Sequence, residues 1–205
     1  MYIPPQYRHT DLGAIRQFVE RHSFATVTSV GKDGLPMVTH IPMDLWVEGD
    51  QWRLTGHVAR GNPQWKNLEQ APWMVAAFLD YHAYISPSWY ARPNVPTWNY
   101  VAVHLSGPVR RVEGEELYEQ LRQQMDKYEA HSKNPLHISD IPEKMLNTDL
   151  RGLVAFEMQV DRVECAHKLS QNRDDRDYAA IIAELEQSRS EHDRLTAEAM
   201  RRERF

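Results

Sequence analysis

Cysteine is almost missing from this 205-residue sequence. Cys165 is the only one, so an intrachain disulfide and a four-thiolate zinc site are both excluded. Long apolar runs are missing as well. The longest, Met74 to Leu79 and Tyr100 to Leu105, fall far short of the roughly 20 residues that a bilayer-spanning helix needs. The opening segment, Met1 to Asp11, is polar and proline-bearing, without the basic stretch and apolar run of a secretory signal. A cytoplasmic protein with no membrane role is therefore expected. Positive charge is also in deficit, 24 Lys and Arg against 29 Asp and Glu for a net charge of -5. Non-specific DNA affinity rests on clustered cations, so direct DNA binding stays open only through a local patch. The most basic run, Arg201 to Arg204, contains Glu203 and reads as a solvated helix end.

Several chemical signatures are absent too. There is no GxGxxG and no GxxxxGK[ST], so a phosphate site must be built without a glycine-rich strand-to-helix turn. Ten histidines occur without HxxxH or HExxH spacing, and there is no Gly-x-Ser-x-Gly, so neither a metal site nor nucleophilic catalysis is indicated.

What is present is a succession of short strands with helices between and after them. Asp11 can cap a helix carrying Leu12, Ile15, Phe18 and Val19 at helical spacing. Phe24 to Val30 reads as a strand. Gly31-Lys32-Asp33-Gly34 then turns the chain into Leu35 to Trp46, and Glu48-Gly49-Asp50 turns it again into Trp52 to Val58. A three-stranded antiparallel meander is expected. At Gly61-Asn62-Pro63 a short helix begins, with Asn62 as cap, Pro63 as first residue, and Trp65, Lys66 and Leu68 within it. Trp73 to Leu79 and Ala83 to Ser86 resemble strands, and Pro87 to Pro96 a loop. Tyr100 to Val112 reads as a strand pair or one bent strand with its bend at Gly107-Pro108. Helices over Glu115 to His131 and Pro142 to Asn147, a strand over Leu153 to Val163, and helix from about residue 174 to the end complete the pattern. The last part is expected to project or to pair with another subunit. The fold expected is α+β, an antiparallel split β-barrel in a single domain with peripheral helices and a C-terminal helical extension.

Three segments carry chemistry. In Gly56 to Lys66, Arg60 and Lys66 flank a strand end and a first helical turn, where backbone N–H groups already favour an anion. A planar donor fork and a compact ammonium suit a terminal phosphate. Two surface cations beside a helix cap would look the same. Trp65, Trp89 and Trp98 fall in or beside loops, together with Ser86, Ser88, Thr97 and Asn99. Such a set can stack on a planar ring and pair its polar edge, although core or interface packing also explains any one tryptophan. His40 and His57, near neighbouring strand ends, are candidate ligand contacts or satisfied edge histidines. In Ser170-Gln171-Asn172-Arg173, capping accounts for Ser170 or Asn172 and leaves Gln171 and Arg173 to reach a ligand or partner.

Taken together, Gly56-His57-Val58-Ala59-Arg60-Gly61-Asn62-Pro63-Gln64-Trp65-Lys66, Ala83-Tyr84-Ile85-Ser86-Pro87-Ser88-Trp89-Tyr90, Val95-Pro96-Thr97-Trp98-Asn99-Tyr100 and Lys168-Leu169-Ser170-Gln171-Asn172-Arg173 resemble the signature blocks of PaiB proteins, as does the Met1-Tyr2-Ile3-Pro4 opening. The resemblance implies a split-barrel fold similar to pyridoxamine phosphate oxidases and flavin reductases, a homodimer, and FMN at the subunit interface. It implies Arg60 and Lys66 at the FMN phosphate and His57, Val58 and Ala59 along the ribityl chain. Thr26, His40 and Ile41 would border the ring, with Asn62 and Trp65 nearby. The segments bearing Ser86, Trp89, Thr97, Trp98 and Asn99 would close the site, and Gln171 and Arg173 would approach it. The family is described as a negative transcriptional regulator, but no helix-turn-helix or basic face is present, so direct DNA binding and an indirect regulatory route both stay open. A flavin-dependent oxidoreductase using NAD(P)H or a small substrate is the alternative. A haem-binding protein ligated through His40, His57 or His104 is a second one.

Overall fold

The computed structural model describes residues 1–204, without the side chains of residues 68–70. The expected apolar contribution of Leu68 and the last residue, Phe205, therefore lie outside the described residues.

In chain order the elements are β1 (Arg8–His9), α1 (Leu12–Arg21), β2 (Phe24–Val30), β3 (Pro36–Pro42), β4 (Asp44–Glu48), β5 (Gln51–Ala59), α2 (Gln64–Gln70), β6 (Trp73–Ile85), β7 (Thr97–Val112), α3 (Gly114–Glu129), α4 (Glu143–Arg151), β8 (Leu153–Gln159), β9 (Arg162–Lys168), α5 (Asp175–Glu186) and α6 (Glu191–Arg204). The strands hydrogen-bond in the order β3-β2-β6-β7-β8-β5-β4, with β9 pairing β7 and β1 pairing β9. The sequence places β3 next to β4, yet they stand at opposite ends of this order. The expected three-stranded meander is thus corrected to two hairpins, β2–β3 and β4–β5, with registers Thr26↔His40 and Asp44↔Thr55. The break falls at Met43, a fully buried residue between the two strands.

Two further readings change. The segments expected as separate strands over 73–86 form one strand, β6, and the strand expected over Leu153 to Val163 divides into β8 and β9. Gly107 lies inside β7, where a Cβ would come within 1.8 Å of the Gln159 carbonyl oxygen at the end of β8. Glycine is required there for close backbone approach.

The chain divides into two compact units, through both of which β6 and β7 run. The first comprises Met1–His22, Phe78–His104 and Val163–Phe205. Here Asp11 caps α1 as expected, its carboxylate accepting from the amides of Gly13 and Ala14, and Ile15 and Val19 face inward. Asp174, not Ser170 or Asn172, caps α5. Ser170 instead adopts φ 63° and donates its hydroxyl to Asn99. The C-terminal chain does not project. Tyr178, Ile181, Ile182 and Leu185 of α5 pack with Ala197 and Met200 of α6 against Ile85, Val101 and Leu169, and the buried Tyr178 hydroxyl donates to the Met200 carbonyl at 2.7 Å. Each fully buried aliphatic side chain in such a cluster contributes about 1.5–3 kcal/mol.

The second unit comprises Ser23–Ala77 and Leu105–Arg162. Its strands alternate in burial, Ala25, Val27 and Ser29 facing inward along β2 and Leu54 and Val58 along β5. Helix α3 is fastened to it by polar contacts. Gln120 donates to the Gly56 carbonyl at 3.0 Å, and Gln124 and Lys127 both reach the buried Asp44 carboxylate.

Candidate functional site

The strongest concentration of candidate residues is the corner of the second unit where β5 leads into α2. Strand β5 is paired with β8, with His57 opposite Ala155 and Ala59 opposite Leu153. The ladder then ends and Arg60 takes over the contact. Its amide donates to the Gly152 carbonyl at 2.7 Å, its Nε to the Arg151 carbonyl at 2.7 Å, and one Nη to the Leu153 carbonyl at 3.0 Å. Carbonyls at the α4–β8 junction thus hold the guanidinium in one orientation. The Arg60 carbonyl in turn accepts from the indole N–H of Trp65 at 2.9 Å. Lys66 Nζ and the Arg111 guanidinium each lie 5.6 Å from the centre of the Trp65 ring, within cation–π range. Arg111 is also ion-paired with Glu113. Among the described residues neither Arg60 nor Lys66 has an acidic partner. Nε and one Nη of Arg60 are thus occupied by carbonyls, and its other guanidinium N–H groups and the Lys66 ammonium are the donors left for an anion.

Two cavities adjoin these residues. One of about 130 Å³ is lined by Trp65, Pro72, Arg111 and Phe156. Another of about 430 Å³ is lined by Arg60, Arg111, Leu117, Asn147 and Leu153. Only the second reaches the roughly 300 Å³ at which small-molecule sites begin.

Asn62 and Gln64 brace the corner. The Asn62 carboxamide accepts from the Gln64 amide at 2.9 Å and donates to Thr39 at 2.9 Å. Helix α2 begins at Gln64, one residue later than expected, with Asn62 still supplying a capping oxygen. Gln64, 1% exposed, sends its side-chain nitrogen to the Val27 and Met37 carbonyls and the Ser29 hydroxyl, while its oxygen accepts from Thr39. The helix is thereby tied to the β2–β3 hairpin. On that hairpin Thr26 and His40, cross-strand partners, are hydrogen-bonded at 3.1 Å, and Ile41 is buried. His57 lies in the same unit. Burial lowers its pKa below the ordinary 6.5, opposed by the Asp44 carboxylate, so the ring is neutral at pH 7.

The other candidates belong to the first unit. Ser86 accepts from the Ser88 amide and bonds its hydroxyl, forming a short 3-10 turn over Pro87–Trp89. Trp89 packs against the apolar cluster of that unit, whereas Trp98 is 51% exposed with Tyr84 and His82 beside it. Thr97 accepts from Lys168 at 2.6 Å. Asn99 is fully buried, its amide bonded to Ser170 and to the Met200 sulfur. Gln171 bonds the Leu169 amide and the His167 carbonyl, and the Arg173 guanidinium stacks 4.5 Å from the Tyr90 ring centre. Of the histidines considered for iron, His40 and His57 fall in the second unit and His104 in the first. Thr26, His40, Ile41, His57, Val58, Ala59, Arg60, Asn62, Trp65 and Lys66 all fall in the second unit, where hydrogen bonds join Thr26 to His40, Asn62 to Thr39 and Trp65 to Arg60.

Sequence reasoning missed two residues here. Arg111 follows Arg110 at a strand end, and only the Trp65 contact distinguishes it. Gln64 had a signal, an uncharged polar residue inside an otherwise telling block, but its many partners lie on other strands.

Comparison with known proteins identifies the family and the fold. Residues 1–162 match a family described as a putative FMN-binding domain. The Bacillus subtilis protein named protease synthase and sporulation protein PAI 2 is 40% identical over 200 residues, covering 98% of this chain and 96% of its own. Among solved structures, the flavocytochrome Anf3 of Azotobacter vinelandii superposes with a TM-score of 0.60 at 20% identity, over 84% of this chain and 75% of that one. A FAD and heme binding protein of Mycobacterium smegmatis gives 0.59 at 17%, over 85% and 80%. These structural likenesses establish the α+β split-barrel architecture, with a sheet that does not close. The family match over most of the chain, with the identity to PAI 2 along nearly all of it, makes this protein a member of the PaiB family of FMN-binding split-barrel proteins.

Proposed function

We propose that the protein is a PaiB-type flavin-binding regulator that grips the FMN phosphate at the β5–α2 corner, through Arg60 and Lys66. The observation that carries this reading is the arrangement around Trp65, whose indole is held by the Arg60 carbonyl while two cations lie 5.6 Å from its ring. Nε and one Nη of Arg60 are held by backbone carbonyls, so a phosphate would meet the remaining guanidinium N–H groups already oriented, which lowers the ordering cost of binding. Bound FMN would supply redox capacity, and this chain would bind and orient it. His57, Val58 and Ala59 run beside the ribityl chain, and Thr26, His40 and Ile41 border the ring.

The reading extends to a homodimer with the flavin between protomers, the turn bearing Ser86 and Trp89 and the start of β7 bearing Thr97, Trp98 and Asn99 closing the site and Gln171 and Arg173 lying beyond them. The exposure of Trp98 at 51% and Val95 at 68% supports a second copy covering this edge. The net charge of -5 favours regulation through the flavin over direct contact with DNA.

The test is to release the chromophore of freshly purified protein by denaturation and identify it by mass, alongside sedimentation of the intact sample. FMN in a dimer is expected. A colourless monomer that takes up no added FMN would end the proposal.

A further inference from the structure

We propose that His9, His167 and Glu203 form a binding site for a divalent metal ion of the zinc type, in the first unit and independent of the flavin reading. The three residues come from β1, β9 and the last turn of α6, which is why no sequence spacing announces them. In the β1–β9 ladder His9 is paired with Cys165, so His167, two residues further along β9, lies diagonally on the same face. The imidazoles stack with centroids 3.8 Å apart and planes 10° from parallel. Glu203 reaches them from α6, its carboxylate 3.0 Å from His167 Nδ1. One ligand atom from each residue can be chosen so that all lie within 4.8 Å of one another.

A second, separate observation points to a ligand. His9 Nε2 is buried and has no hydrogen-bond partner. A buried ring nitrogen left unpaired is costly, and a metal ion would satisfy it. Burial, reinforced by His167, holds the His9 pKa below 6.5, so the lone pair that a metal requires is present at neutral pH.

Two imidazoles and a carboxylate leave a fourth tetrahedral position for water, the donor set that suits zinc. A cavity of about 330 Å³ lined by His9, His167 and Glu203 gives access. Arg21 and Arg202 also line it, but the Arg202 side chain bonds Tyr81 and Asp11 contributes negative charge beside His9. Cys165, the cross-strand partner of His9, is buried, and burial pushes its thiol up to about 12. The rest of α6 fixes Glu203 in reach, since Arg204 pairs with Asp175 at 2.5 Å and Arg201 with Glu186 at 2.7 Å. Coordination by a tetrahedral ion bonded at about 2.1 Å brings the ligand atoms to roughly 3.4 Å, and it requires the stacked rings to turn out of parallel so that both nitrogens face one ion.

The test uses full-length protein stripped with a chelator, dialysed against Zn²⁺ and assayed for bound metal, with Co²⁺ in parallel because its visible bands report tetrahedral nitrogen and oxygen ligation. One zinc per chain and intense Co²⁺ bands are expected, with about tenfold or greater loss of affinity in His9→Gln and in Glu203→Gln. Glu203→Gln sits near the end of a surface helix and keeps the fold, so it decides the matter if His9→Gln does not fold. Absent zinc binding, or equal binding in the wild type and Glu203→Gln, overturns the proposal.

Discussion

The two units solve the problem of holding a polar site by different means. In the second, a cationic corner is braced by a glutamine whose four contacts lie on neighbouring strands, and the Arg60 charge is fixed by backbone carbonyls. In the first, apolar packing of α5 and α6 does the holding, and the polar groups gathered there are imidazoles and a carboxylate. A strand-built corner is rigid because its backbone cannot move without breaking a ladder. A helix-built one depends on side-chain volume.

The largest expected effect breaks the first half of this comparison. Gly107→Val forces a Cβ into the Gln159 carbonyl and should lower unfolding free energy by about 4 kcal/mol or more, measured by urea denaturation. A loss below about 1 kcal/mol would mean that β7 and β8 can separate at that point. In the other unit, Ile181→Ala should cost about 3 kcal/mol, with hydrogen exchange accelerated first in α5 and α6. Exchange that rises equally across β2 and β3 would erase the distinction. Gln64→Leu follows at about 2 kcal/mol, since Ser29 and Thr39 lose partners while the apolar side chain fills the space.

Much of the fold was legible in the sequence because local chemistry decided it. Asp11 capping α1, Gly34 and Gly49 at positive φ in the hairpin turns, and the period of α3 all depend on neighbours in the chain. What was not legible depends on distant partners. The separation of β3 from β4 is set by pairing with β2 and β5, and nothing near Met43 encodes it. The strand over 73–85 continues through Asp80 and His82 because it is paired in the sheet with β7, and Asp80 meets His22, more than fifty residues earlier. The same holds at the sites. Arg60 and Lys66 were visible as a pair of cations in one block, whereas Arg111 enters from another strand and the His9, His167 and Glu203 group assembles from three segments.

A smaller effect concerns acid. His22 and His104 in the first unit, and His57 in the second, have pKa values held below 6.5 chiefly by burial. The unfolded chain therefore takes up protons first, and their contribution is complete above pH 6.5 and lost as pH falls below it. His137 has the opposite sign. Its partner Asp126 raises its pKa, so its stabilisation is present below 6.5 and lost as pH rises through the raised value. Thermal unfolding of the wild type should fall between about pH 7.5 and pH 5.5, and His57→Gln should flatten the fall. A midpoint independent of pH would show these rings to be solvated in the folded protein.

The central claim is that the β5–α2 corner recognises a phosphate. Its most direct test is to titrate flavin-free wild-type and Lys66→Ala protein with FMN and with riboflavin, which lacks the phosphate, following flavin fluorescence. Loss of one charge-assisted contact, about 1.5–3 kcal/mol, should weaken FMN binding about ten- to a hundredfold and leave riboflavin binding unchanged. Equal weakening of both flavins, or of neither, would contradict the account.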